Sequence, residues 1–412
     1  MTALHRVAVT GIGVVTPLGI GVEAFWDGVL SERVAVASLT RFDASAYRSR
    51  IAAQVDDFEP RDFLAAKRLH WTDRFSQFAI AAARLALDDA AYRPGSADVG
   101  VYLGSALGGL AFADDQHDVF RERGIEAVKP LLAISVFGGA ATCNVAIEFG
   151  LNGPTVANGN SCASGAVALG EAFRAISRGD VRAALAGGVE APLSPLVYGA
   201  FTVIRAMSQR NDEPQAASRP FDARRDGFVM AEGAGILLLE RLDDATARGA
   251  RIYGEIAGYG LTNDAHHMSA PRPDGAFNAA AMRGALGEAG LAPDDVDLLN
   301  AHGSGTPLGD RAEAVATAIV FGERARPIAV TATKGQHGHA LGATGAWEAA
   351  LSLLAMERGV VPRSVNSDEA DAGCALAIAR EPVRRRVRTV LSNSSGFGGI
   401  NAALLFRAVE PR

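Results

Sequence analysis

The sequence predicts an α/β protein of alternating sheet and helix layers, built as a duplicated sheet–helix–sheet unit. Short apolar runs at residues 7–15, 99–103, 183–189, 236–239, 298–300, 328–331 and 402–406 read as buried strands. Ala-rich stretches between them, of which 75–89 and 277–289 are the clearest, read as helices, and this alternation is what layered α/β folds show. Segments 163–176 and 343–356 are apolar on nearly every side, which marks helices buried all round. Each lies in a similar order of strand, Gly/Ser turn and small-residue helix, one in each half. The expected boundary lies near Arg251, after the polar stretch 242–248, giving halves of residues 1–251 and 252–412. With no Pro/Ser linker between them, the halves are expected to pack as one unit.

Bulk properties exclude several classes. At 412 residues the chain can bury a sizeable core. A formal net charge of -6 argues against nucleic-acid binding by overall charge, but leaves room for a local basic patch facing an acidic partner. Cys143, Cys162 and Cys374 are too few and scattered for a disulfide framework or zinc knuckle, and a reducing cytoplasm fits better. Residues 7–22 are apolar but broken by Gly11, Gly13, Pro17, Gly19 and Gly21, so they read as strand and loop and not as a signal or membrane span. No Walker loop, proper dinucleotide fingerprint or Gly-x-Ser-x-Gly elbow is present, so neither a nucleotide cofactor nor a serine hydrolase is expected.

The chemistry-bearing residues sit in glycine-rich turns. Cys162 lies in Asn160-Ser161-Cys162-Ala163-Ser164-Gly165, between strand-like Thr155-Val156-Ala157 and the first buried helix. At a helix N-terminus, free N–H groups and the macrodipole favour a thiolate and can hold an oxyanion. A buried structural cysteine fits the same place. Cys143 and Cys374 lack that context and read as core. His302 lies between an apolar strand and the turn Gly303-Ser304-Gly305; Lys334 ends a strand; His339 opens the second buried helix. The His337-x-His339 spacing lacks the accompanying carboxylates or cysteines of a zinc site. His266-His267 reads as structural or solvated.

Taken in order, Ser161-Cys162-Ala163-Ser164-Gly165-Ala166, Ala301-His302-Gly303-Ser304-Gly305-Thr306-Pro307, Lys334 and Gly338-His339 resemble a β-ketoacyl-acyl-carrier-protein synthase of the elongating type I/II group. Arg219-Pro220-Phe221-Asp222, Arg225-Asp226-Gly227-Phe228 and the glycine-rich 393–401 are also family-like, and the resemblance runs from Val7 to Phe406. It implies a thiolase-like, duplicated five-layer α/β/α/β/α sandwich that dimerises through its first half, as a homodimer or with a ketosynthase-like partner.

It also implies residue roles. Cys162 takes an acyl chain from the phosphopantetheine of an acyl carrier protein. The N–H groups of Cys162 and Phe397 form the oxyanion hole. His302 and His339 donate to a malonyl thioester during decarboxylation, and the product is a 3-oxoacyl thioester. Lys334 supports the site, with Glu313 where the family places its partner. Ser304 and Thr306 contact pantetheine. Leu107, Leu132, Ser395 and Phe397 shape the acyl pocket and gate. Lys67 and Arg205 are docking cations for an acidic carrier protein, with ordinary surface charge the other reading of Lys67. Asn300, Glu348, Ser392 and Asn393 match a structural monovalent-cation site. No bound cofactor is expected.

Ser395 stands where the fatty-acid enzymes commonly have Phe. Either the gate accepts bulkier or more polar chains, as in polyketide or polyene pathways, or a neighbouring side chain fills the space. A biosynthetic thiolase would need a second reactive cysteine, and Cys374 leads into a strand-like run with no glycine turn. A chalcone- or initiation-type enzyme would have Asn in place of the second His. A chain-length-factor-like subunit would lack the nucleophile.

Overall fold

The computed structural model describes residues 4–95, 99–322 and 328–410. Ten strands form the continuous path of the main sheet among the described residues, and an eleventh, Gly19–Ile20, pairs with the first alone: β1 (Val7–Thr16), β2 (Val99–Gly104), β3 (Thr155–Asn158), β4 (Ala183–Glu190), β5 (Gly233–Arg241), β6 (Gly254–Asn263), β7 (Leu298–Asn300), β8 (Ala329–Thr331), β9 (Thr389–Gly396) and β10 (Ile400–Arg407). The helices that matter here are α1 (Arg74–Asp89), α2 (Ala140–Phe149), α3 (Ser164–Arg178), α4 (Pro195–Val203), α5 (Ala276–Ala289), α6 (Pro307–Phe321) and α7 (Thr344–Arg358). The sheet runs β8-β7-β9-β10-β6-β1-β5-β4-β2-β3. Counted within its own half, each set of five strands has the order third, second, fourth, fifth, first. In each, the first two pairings are parallel and the next two antiparallel. The first strands of the halves, β1 and β6, pair briefly at Val7 to Val9 and join the two sets.

Five layers follow from the packing. Helices α1 and α2 cover the outer face of the first set of strands; α5, backed by α6, covers the outer face of the second. Between the sets lie α3 and α7, which touch each other and both groups of strands. That position explains their composition, since a helix with sheet on two sides has no face left for water. The thiolase-like five-layer architecture is therefore present. One packing device occurs twice. A Cβ on Gly11 or Gly13 of β1 would lie 2.1 or 1.9 Å from carbonyls of α1. On Gly258 or Gly260 of β6 it would lie 2.0 or 1.9 Å from carbonyls of α5. The outer helices thus sit directly on glycine backbone.

Two expectations need correction. The strand-like run after Cys374 is not a strand; it makes one isolated bridge, Val330 to Ile378. It lies between the Asp371–Gly373 turn and Pro382 and is held to β8 at Val330 alone, whose N–H donates to the Ala377 carbonyl and whose carbonyl accepts from the Ala379 N–H. Cys143 is not core but half-buried on α2, while Cys374 is buried beside Asp371.

Candidate active site

Both central helices start in the same way. A single 3₁₀ turn, Ser161–Ala163 or Leu341–Ala343, precedes α3 or α7. Each begins on a non-glycine residue in the left-handed region, Ser161 at φ 53° and Leu341 at φ 43°. Such backbone costs energy in an L-residue and persists where surrounding structure holds it. In the first half this sharp turn presents Cys162 at the mouth of α3; in the second it follows His339.

Cys162, His302 and His339 line one cavity, with Ser304, Thr306, Ser395 and Phe397 on its walls. The two histidine rings stand edge to face, centroids 5.2 Å apart, and His339 meets Phe228 in the same way at 5.4 Å. His339 Nδ1 lies 3.0 Å from Thr344 Oγ1, so with that hydroxyl donating, Nε2 carries the ring proton. Burial, then the Lys334 charge, push both imidazoles well below their ordinary range, so both are neutral at pH 7.

Burial pushes the Cys162 thiol up to about 11, while the Ser161 hydroxyl, the Lys334 charge and the Phe397 N–H pull the other way. The resting group is a thiol. A Cβ on Gly396 would sit 3.1 Å from the Cys162 nitrogen, so Gly396 lies directly against the Cys162 backbone and brings the next residue, Phe397, beside it. Phe397 stacks on Phe201 at 6.2 Å. The sulfur belongs to an apolar cluster with Met207, Phe228 and Leu341, against which Leu107 and Phe201 pack. That cluster has the chemistry of an acyl-chain pocket. Leu132 is not part of it; it lies in the short helix Leu132–Ser135, beside exposed Ile134 and Val136.

The supporting carboxylates are placed differently from expectation. Lys334 is fully buried and bonds Glu348 Oε1 and the His302 carbonyl. Glu313 does not hold the lysine. It accepts the His302 and Gly303 N–H groups at 2.7 and 2.8 Å and the Asn393 amide at 2.7 Å, and so fixes the His302 turn. Glu348 projects from α7 and Glu313 from α6, and only the packing of these helices decides which carboxylate reaches the ammonium. Asp310 fixes the other end of the turn: it accepts from Gly305 and Phe221 backbone at 3.0 and 2.6 Å, with Arg225 at 3.6 Å. The family-like stretch 219–228 thus buttresses the Ser304 turn, where Ser304 Oγ lies 2.9 Å from Thr306 Oγ1.

Among the buried oxygens without partners are those of three of the expected cation-site residues: Asn300 Oδ1, Glu348 Oε2 and Asn393 Oδ1. Asn300 and Ser392 are cross-strand neighbours on β7 and β9, and the Asn300 amide donates to the Glu348 carbonyl at 2.8 Å. A set of bare oxygens with one carboxylate fits a hard monovalent cation.

Sequence reasoning missed two residues. Glu190 is fully buried and accepts from Ser105, Ala106, Leu107 and Gly342, which ties the Leu107 loop to the start of α7. Asn278 on α5 fills the space beside Ser395, donating to Ser395 Oγ at 2.7 Å and Asn401 Oδ1 at 3.2 Å. Ser395 is therefore bonded to amide side chains, and all three residues line the cavity. Lys67 and Arg205 are both exposed, Arg205 four residues beyond Phe201.

Comparison with known proteins gives the family. Residues 4–245 match the family described as Beta-ketoacyl synthase, N-terminal domain, and residues 253–368 match Beta-ketoacyl synthase, C-terminal domain. The chain belongs to the beta-ketoacyl synthase family. It is 41% identical over 409 residues to the 3-oxoacyl-[acyl-carrier-protein] synthase 2 of Synechocystis sp., covering 98% of each chain. It is 40% identical to that of Staphylococcus aureus over the full length of both. Among solved structures, the ishigamide ketosynthase/chain length factor is similar at TM-score 0.92 and 34% identity, covering 99% of this chain and 100% of that one. A Beta-ketoacyl synthase from Burkholderia phymatum is similar at TM-score 0.92 and 35% identity, over 98% and 100%. A type II PKS ketosynthase, solved with its acyl-carrier protein and bound to the hexaketide, is similar at TM-score 0.90 and 34% identity, over 99% and 100%. The condensing acyltransferase activity implied by the resemblance follows from this membership. No described helix is long and apolar enough to cross a membrane.

Proposed function

We propose that Cys162 accepts an acyl chain from the phosphopantetheine thiol of an acyl carrier protein and that the enzyme condenses it with a malonyl thioester, losing CO₂. The observation that carries this reading is the cavity where Cys162, His302 and His339 meet beneath the Phe397 N–H. Acylation exchanges one thiol for another: the carbonyl leaves the pantetheine sulfur for the Cys162 sulfur, and the thiol proton ends on pantetheine. No separate base is consumed. The thioester oxygen sits on the N–H groups of Cys162 and Phe397 as it becomes an oxyanion.

In the second step the malonyl C–C bond to the carboxylate breaks and CO₂ departs. The electron pair moves toward the thioester oxygen, where His302 and His339 donate hydrogen bonds. Neutral imidazoles suit this role, because they stabilise the enolate without protonating it outright. The enolate carbon attacks the acyl carbonyl, the tetrahedral intermediate expels the Cys162 thiolate, and a solvent proton restores the thiol. Lys334 does not act as base; its ammonium is held by Glu348 and the His302 carbonyl and fixes the latter's position. Ser304 and Thr306 hold the pantetheine arm, and Leu107 lines the acyl pocket. Asn300, Glu348, Ser392 and Asn393 would hold a monovalent cation, which offsets the buried carboxylate charge.

Arg205 and Lys67 serve as docking cations for an acidic carrier protein in the cytoplasm. The halves divide near residue 251, with Cys162 in the first and His302, Lys334 and His339 in the second. Leu132, Ile134 and Val136 face a second, ketosynthase-like subunit. The condensation serves fatty-acid or polyketide assembly, and no resident organic cofactor takes part. The test is mass spectrometry of the carrier protein after incubation with acyl- and malonyl-carrier protein. A 3-oxoacyl product with wild type and none with Cys162→Ala supports the reading; product from the variant refutes it.

A further inference from the structure

The reaction so described leaves one buried histidine without a part. His337 is 1% exposed, and its ring is turned away from the cavity, edge-on to Trp347 with centroids 5.3 Å apart. Nδ1 lies 2.8 Å from the Gly338 carbonyl, and Nε2 lies 2.9 Å from Thr333 Oγ1. A carbonyl only accepts, so Nδ1 carries the proton and Nε2 takes the Thr333 hydroxyl hydrogen. One tautomer is fixed.

The carbonyl that His337 holds belongs to the peptide preceding His339. Gly338 has φ 68° and ψ -162°, a region essentially confined to glycine, and an added Cβ would meet the Val229 carbonyl at 3.1 Å. The other end of the same peptide, the His339 N–H, donates to the Val229 carbonyl at 2.7 Å. The peptide plane is gripped by its C=O from one side and its N–H from the other, and it carries His339 into the cavity. We infer that His337 is a positioning residue for His339, acting through the Gly338 carbonyl. The inference rests on the proposed role of His339 as a donor to the malonyl thioester oxygen.

Two half-reactions separate this from a general structural role. Decarboxylation of malonyl-carrier protein without an acyl donor needs His339; acylation of Cys162 without malonyl donor does not. His337→Leu removes the ring N–H. His337→Asn keeps an amide N–H near the place of Nδ1. His337→Leu is expected to lower kcat for decarboxylation about tenfold or more, with KM and the acylation rate within about threefold of wild type. His337→Asn is expected to recover most of the loss. The inference is overturned if Asn is no better than Leu, or if Leu slows both half-reactions in parallel. It is also overturned if Leu spares decarboxylation while His339→Ala abolishes it. If His339→Ala itself spares decarboxylation, the role of His339 is what fails. Should His337→Leu not fold, Thr333→Val keeps the ring and frees its tautomer. It is expected to slow decarboxylation alone by a few-fold, and an unchanged rate counts against the inference.

Discussion

Burying the Lys334 ammonium with the Glu348 carboxylate costs several kcal/mol of desolvation per ion, offset by their attraction and by the bond to the His302 carbonyl. Burial pushes Glu348 up to about 7, against the pull of Lys334. Lys334→Ala would leave that carboxylate unpaired in the core, so a loss of about 3–5 kcal/mol in chemical denaturation is expected. The histidines give a pH prediction. Because burial and Lys334 lower His302 and His339 well below 6.5, the donors stay neutral as the solution passes through the ordinary imidazole range. Neither ring should therefore titrate near pH 6.5 when followed by NMR of its own protons, and a midpoint there would mean that one ring titrates normally. Of the residues that meet in the cavity, Cys162, His302 and His339 were legible because each stands beside a glycine turn at an element's end. The Lys334 partner was not, since choosing between Glu313 and Glu348 needs the packing of α6 against α7.

The β9–β10 hairpin and α5 are bonded to each other beside Cys162. Gly396 lets the segment lie on the Cys162 backbone, and Gly396→Ala places a methyl 3.1 Å from its nitrogen. Acylation of Cys162 is expected to fall by about tenfold or more, read by the rate of adduct formation. Asn278 latches the same hairpin through Ser395 and Asn401, and Asn401 Nδ2 donates in turn to Asp264 at 2.8 Å. Asn278→Ala should cost about 1–3 kcal/mol, and hydrogen exchange at residues 396–401 should quicken. None of this could be read from residues 389–396, whose Ser-Asn-Ser-Ser run looks like loop. These polar side chains are buried in a strand because they face Glu313 and Asn278, partners far along the chain. The same holds for β6, whose glycines conceal a ten-residue strand. The apolar strands, by contrast, were read within two residues of their ends, except 236–239, which is the middle of β5.

At the scale of the molecule, the repeated strand order turns two similar halves into one site, each contributing what the other lacks. Duplication was visible from the paired buried helices; the order of strands was not, because pairing between distant segments leaves no local trace. Among the described residues the outer edge of β3 is unpaired at the end of the sheet, and Val156 there is 41% exposed. Nearby, Ile147 on α2 and Phe137 are 66% and 47% exposed. A bare edge with large apolar side chains is costly in a monomer and suits a second subunit. Sedimentation should show a dimer, and Val156→Asp with Ile147→Asp should shift it to monomer; a wild-type monomer would require another partner on this face.

The most direct test of the account is the intact mass of the protein after exposure to an acyl-carrier-protein thioester, with peptide mapping and Cys162→Ala alongside. The account predicts a gain of one acyl group, mapped to the peptide bearing Cys162 and absent from the variant. An adduct elsewhere, or none with any donor, would contradict it and leave the chain as the pocket-shaping half of a heterodimer.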